Sequence, residues 1–126
     1  MAWKKYEPDA EIKGGAIDIY PTGTLRFNRT VWEELERPEF ITIHHDEEKG
    51  RLGFRDSVKG IAGNFALEEA NAGGRIVALR RALRDLGVQF EDTPRTYTPI
   101  LSGSSTAPRV YIELEHPIRK QEEAAS

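Results

Sequence analysis

Between Ala16 and Arg55 the chain reads AIDIYPTGTLRFNRTVWEELERPEFITIHHDEEKGRLGFR, and its alternation of apolar and polar residues constrains the fold more than any other feature. Ile17 and Ile19 alternate with Asp18 and Tyr20, then Leu25 and Phe27 with Thr24 and Arg26. Successive side chains of a strand point to opposite faces, so this spacing predicts two half-buried strands joined at Pro21-Thr22-Gly23. Asn28 stands where its side chain can accept from the free amides of a first helical turn, and Pro38 stops the helix that Val31, Trp32 and Leu35 mark out. A helix of about two turns is marginal by itself and has to be held by packing onto the strands beside it.

The alternation resumes over residues 40–45 and 51–55, on either side of the acidic turn Asp46-Glu47-Glu48-Lys49-Gly50. A hairpin is predicted there, with Ile41, Ile43, Leu52 and Phe54 on its core side and Gly50 at the positive φ of the turn. Further along, Phe65 and Leu67 suggest a short strand before the break at Asn71-Ala72-Gly73-Gly74. Ile76, Leu79, Leu83 and Leu86 recur at steps of three and four, which predicts a longer helix from Ile76 to Leu86. Gly87 stands at its C-terminal end, where Val88 would fold back onto Leu83. Two more strands are expected, over residues 95–101 and 109–115, joined through the flexible stretch SGSSTAP.

The expected class is therefore α+β, a mainly antiparallel sheet with one short and one longer helix, ordered as an N-terminal β-β-α-β-β unit followed by β-α-β-β. At 126 residues one domain suffices. It divides into an N-terminal arm over 1–14 with Trp3 and Tyr6 as docking points, the strand-helix-hairpin unit over 16–55, a β-α-β-β unit over 63–115 and a polar tail over 116–126. Residues 1–15 lack a signal-peptide core, and no apolar stretch approaches 18 residues, so a cytoplasmic chain with no membrane contact is expected.

Chemistry is sparsely marked. With no cysteine, disulfides, thiolate metal sites and thiol nucleophiles are excluded. His44 and His45 are adjacent and would leave a strand on opposite faces, and the acidic turn lacks the alternating oxygen ligands of a calcium loop, so neither a metal nor another cofactor is expected. NAGGR precedes the expected helix without fitting a phosphate-binding loop, and Ser57 and Ser102 to Ser105 lack a nucleophile-elbow context. A non-enzymatic protein is expected.

Arginine supplies 12 of the 18 basic residues, and its planar fork suits carboxylates and phosphates. Two sets stand out. Arg26, Arg29, Arg51 and Arg55 belong to the N-terminal unit and could share the face opposite its apolar side. Arg80, Arg81 and Arg84, with Arg75 one turn earlier, would form a basic stripe along the longer helix. The net charge of −3 gives no general attraction to a polyanion.

In the order strand, glycine-containing turn, strand, short helix and hairpin, residues 16–55 resemble the AbrB-like swapped-hairpin transcription regulators, which include MazE-type antitoxins. The resemblance implies two interleaved chains forming one DNA-binding barrel, hence a homodimer that contacts DNA through Arg26, Arg29, Arg51 and Arg55. The chain departs from the family at Thr22, at Asn28 and at Arg37-Pro38-Glu39. The residues leave a second reading open: a phage- or operon-encoded adaptor without nucleic-acid binding, which meets an acidic protein partner through Arg75, Arg80, Arg81 and Arg84.

Overall fold

A computed structural model of the chain describes residues 8–103 and 108–118. Trp3 and Tyr6, the middle of SGSSTAP and the tail beyond 118 lie outside the described residues. The class is α+β, with antiparallel pairing throughout two sheets and two short helices.

The two N-terminal hairpins enter different sheets. Strands β2 (Ile17–Ile19) and β3 (Thr24–Phe27) pair with each other in the five-stranded sheet, whose order is β7-β8-β3-β2-β9. The flanking strands are β7 (Glu68–Glu69), β8 (Arg75–Ala78) and β9 (Arg95–Tyr97). Strands β4 (Phe40–Asp46) and β5 (Arg51–Ser57) form the second hairpin, inside a six-stranded sheet of order β1-β10-β11-β5-β4-β6. Its other members are β1 (Ala10–Glu11), β6 (Asn64–Ala66), β10 (Ile100–Leu101) and β11 (Val110–Glu113). Each of β2, β3, β4 and β5 is therefore paired on both sides within one chain.

The sheets share one core. Phe27 of β3 and Phe54 of β5 meet edge to face with ring centroids 5.0 Å apart, and both are fully buried. Ile17, Ile19 and Leu25 from one sheet and Ile41, Leu52 and Ile112 from the other complete the contact. These are the residues that the alternation assigned to the dry face, because one register puts all of them on the same side.

Helix α1 (Arg29–Glu34) forms where Asn28 predicts it. The Asn28 side chain accepts from the Val31 amide at 3.2 Å and donates to the Gly14 carbonyl at 2.7 Å. Val31 and Leu35 are buried, and the Trp32 indole N–H donates to the Pro38 carbonyl at 3.0 Å.

The longer helix is corrected. Residues 75–78 are strand β8, paired with β3 so that Leu25 lies opposite Val77, and helix α2 runs only from Arg80 to Asp85. Ile76 and Val77 are adjacent β-branched residues suited to an extended backbone, and β3 offers an edge that needs a partner. The helical spacing persists in buried Leu79 and Leu83 and in Leu86, which packs against the core at the helix end, and α2 ends as expected, with Gly87 at φ +75° and the Val88 amide donating to the Leu83 carbonyl at 2.9 Å.

Three smaller corrections follow from pairing. Part of the expected arm is strand β1, which lies against β10, and Ile12 behind it is buried. The strand expected over 95–101 is split into β9 and β10, which belong to different sheets. The start of the expected tail is tied down where the Ile118 amide donates to the Thr96 carbonyl at 2.6 Å. Among the described residues no helix is long and apolar enough to cross a membrane.

The turn at Gly23 joins the first hairpin to α2. Its φ is +82°, the Leu79 amide donates to its carbonyl at 2.9 Å, and a β-carbon there would lie 2.4 Å from Arg80 Cα. Left-handed strain and overpacking add at this position, so Gly23→Ala should lower stability by about 2–4 kcal/mol in chemical denaturation. A loss below about 0.5 kcal/mol, the scale of an ordinary surface change, would show that the turn is not pressed on α2.

Candidate ligand-binding groove

The feature of the surface with most chemistry lies on the outer face of the six-stranded sheet. Because Leu52 and Phe54 point inward, Arg51, Gly53 and Arg55 of β5 point outward. Gly53 has His44 opposite it on β4 and Tyr111 opposite it on β11. A groove of about 630 Å³ opens here, with Asp9, His44, Asp46, Arg51, Gly53 and Tyr111 in its wall. The glycine is required by packing, since a β-carbon would meet the Pro108 ring at 2.6 Å.

Arg51 is held in an unusual way. Its guanidinium lies over the Tyr111 ring at 4.5 Å from the centroid, and its ion pair with Glu113 is long, at 3.9 Å. Its Nε is buried with no hydrogen-bond partner. The guanidinium is oriented by stacking, and its hydrogen-bonding capacity is left largely unspent.

Tyr111 is in turn fixed from below. Its hydroxyl donates to Asp9 Oδ2 at 2.6 Å, while the Gly103 amide donates to Asp9 Oδ1 at 2.8 Å. These two hydrogen bonds hold the Asp9 carboxyl below its ordinary value, and burial with the Asp9 bond pushes the Tyr111 hydroxyl up to about 12. Asp9, Tyr111 and Arg51 thus form a positioning chain. Beside it, Thr42 Oγ1 and His44 Nε2 are hydrogen-bonded at 2.9 Å, and burial, with Arg55 nearby, lowers the His44 pKa and favours the neutral ring. The Lys49 amide donates to Asp46 Oδ1 at 3.0 Å and closes the acidic turn at the rim.

The four arginines of the N-terminal unit do not form one set. Arg51 and Arg55 share this outer face, whereas Arg26 belongs to the five-stranded sheet and Arg29 to α1. Arg26 donates to the Asn71 carbonyl at 2.6 Å, and the Arg29 stem lies where a β-carbon on Gly73 would come within 2.9 Å of it. Arg29 also faces Glu33 at 3.7 Å.

The second set is divided too. Arg75 stacks on Trp32 with its guanidinium carbon 3.7 Å from the ring centroid and donates to the Gly73 and Gly74 carbonyls, at 3.1 and 2.9 Å. It therefore braces the Asn71–Gly74 loop, which leads into strand β8 instead of a helix. Arg80, Arg81 and Arg84 do project from α2, although Arg84 is paired with Glu91 at 2.6 Å and Arg81 faces Asp85 at 4.0 Å. Among the described residues no cluster of histidine and carboxylate groups has the arrangement of a metal site.

Arg51 was legible in the sequence as an outward residue of β5. Tyr111 was legible only as the polar-facing neighbour of Val110 and Ile112, and Asp9 carried no signal at all. Against known proteins, the chain matches no family model, no curated protein and no solved structure.

The Asp9 bonds make an acid-side prediction. The folded carboxyl has a pKa below the unfolded value of 3.8, so its contribution is complete above about pH 4 and is lost as pH falls through the folded value. Asp9→Asn should therefore be less stable than the parent at pH 6, with the gap narrowing below pH 4 in denaturation series. A gap independent of pH would contradict that linkage.

Proposed function

We propose that the chain is a non-enzymatic adaptor that binds another protein, with the outer face of the six-stranded sheet as its recognition surface. The observation that carries this reading is Arg51: a guanidinium aimed by Tyr111, in an open groove, whose terminal nitrogens make only the long ion pair with Glu113 among the described residues. Such a group is ready for a planar acceptor on a partner, because little ordering is left to be done when the contact forms.

A polyanion fits this surface less well. Among the described residues the charged groups lining the groove are Asp9, Asp46 and Glu47 against Lys49 and Arg51, three carboxylates to two cations. Duplex DNA is bound through many phosphates at once and needs a continuous basic face. Arg26 and Arg29 are occupied elsewhere, and the strands that an interleaved dimer would exchange are already paired within one chain. The arginines of α2 would serve as an accessory contact for acidic residues of the partner.

A salt titration with a labelled random-sequence duplex tests the reading. At low ionic strength the full chain should show no binding in the micromolar to sub-millimolar range. Binding in that range that weakens steeply with added salt, together with its loss in Arg51→Ala and Arg55→Ala, would replace the adaptor with a DNA-binding protein.

A further inference from the structure

Resting on that reading, we infer that the groove recognises an extended peptide which presents a carboxylate to Arg51 and, one or two residues away, a cationic side chain to the acidic rim formed by Asp46 and Glu47. The guanidinium is planar and its free edge matches the two oxygens of a carboxylate, which it can engage through parallel hydrogen bonds.

The surrounding charges select among anions. A phosphate dianion at Arg51 would lie in the field of Asp9, Asp46, Glu47 and Glu113, against Lys49 at the rim and Arg55 further along the same face among the described residues, whereas a carboxylate brings a single charge. Asp46 and Arg51 stand directly opposite each other in the β4–β5 register, yet Asp46 turns one oxygen to the Lys49 amide and makes no ion pair with Arg51. The two opposite charges are therefore presented side by side to solvent, an arrangement complementary to a ligand carrying both signs. The groove of about 630 Å³ is larger than a lone carboxylate requires and falls in the range that holds ligands of several linked groups.

The carboxylate has two sources in a partner, its chain terminus or an Asp or Glu side chain, and the test separates them. The full chain is titrated with three acetylated peptides: Gly-Lys-Gly-Val as the free acid, the same peptide as its C-terminal amide, and amidated Gly-Lys-Gly-Glu-Gly. Binding is followed by the amide resonances of Gly53 and Tyr111, and inorganic phosphate is run alongside. One or both carboxylate-bearing peptides should move these resonances and bind at least about tenfold more tightly than the Gly-Lys-Gly-Val amide, the scale of a charge-assisted bond. The tighter of the two identifies the preferred source, and equal affinity shows that the groove accepts either carboxylate. Arg51→Lys should remove most of that preference with an unchanged thermal midpoint, since lysine keeps the charge and loses the fork. Tyr111→Phe, which keeps the ring but frees it from Asp9, should weaken binding several-fold.

Equal affinity for the acid and the Gly-Lys-Gly-Val amide with the Glu peptide no tighter, tighter binding of phosphate, or no response at Gly53 and Tyr111 would each overturn the inference. The adaptor reading fails separately, by duplex binding in the salt titration, which involves no peptide. Because the acid and amide are compared on the unaltered chain, the result does not depend on any variant folding.

Discussion

The edge-to-face contact of Phe27 and Phe54 is the constraint on which the rest of the molecule depends. It joins a hairpin of one sheet to a hairpin of the other, and the two rings are buried with no exposure to water. Aromatic pairs of this geometry contribute about 0.5–1.5 kcal/mol beyond the area they bury. Their larger effect is on register. With Phe27 inward, Arg26 must point outward, and with Phe54 inward, Arg51, Gly53 and Arg55 must all face the opposite side of the sheet. The groove exists because the core is where it is.

On that outer face, small residues and long ones divide the labour. Gly53 leaves room for the Pro108 ring, and that close approach borders the depression in which Arg51 and Tyr111 stand. The chain of contacts from the Gly103 amide through Asp9 and Tyr111 to Arg51 crosses residues far apart in sequence, including β11 and the segment before β1. A guanidinium held this way differs from the surface ion pairs of α1 and α2, such as Arg37 with Glu33 at 3.0 Å, which are exposed, screened by salt and worth little. It is pre-oriented and retains bonding capacity, which is what a recognition surface needs.

The alternation in residues 16–55 was strong enough to give both hairpins, the Asn28 cap and the inward residues, since each of these is decided by neighbours within a few positions. The same local logic failed over Ile76 to Leu86. There a helical period and a β-branched pair coincide, and the unpaired edge of β3 draws residues 75–78 into a strand. Part of the expected arm is a strand for a similar reason: Ala10 and Glu11 have no strand pattern of their own and are ordered by the edge of β10. Arg51 could be identified as outward-facing, but not as stacked on Tyr111, because strands β5 and β11 are separated by nearly half the chain.

The sequence by itself determined the α+β class, the two N-terminal hairpins, the capped helix and the identity of the buried face, because hydrophobic period and turn chemistry act over short range. Only the tertiary structure decided that the two hairpins enter different sheets and that the arginines are divided between them. It also decided that Asp9, Tyr111 and Arg51 meet. Those outcomes depend on which strand edges find each other, and backbone hydrogen bonding between edges carries almost no signature in the residues that make it.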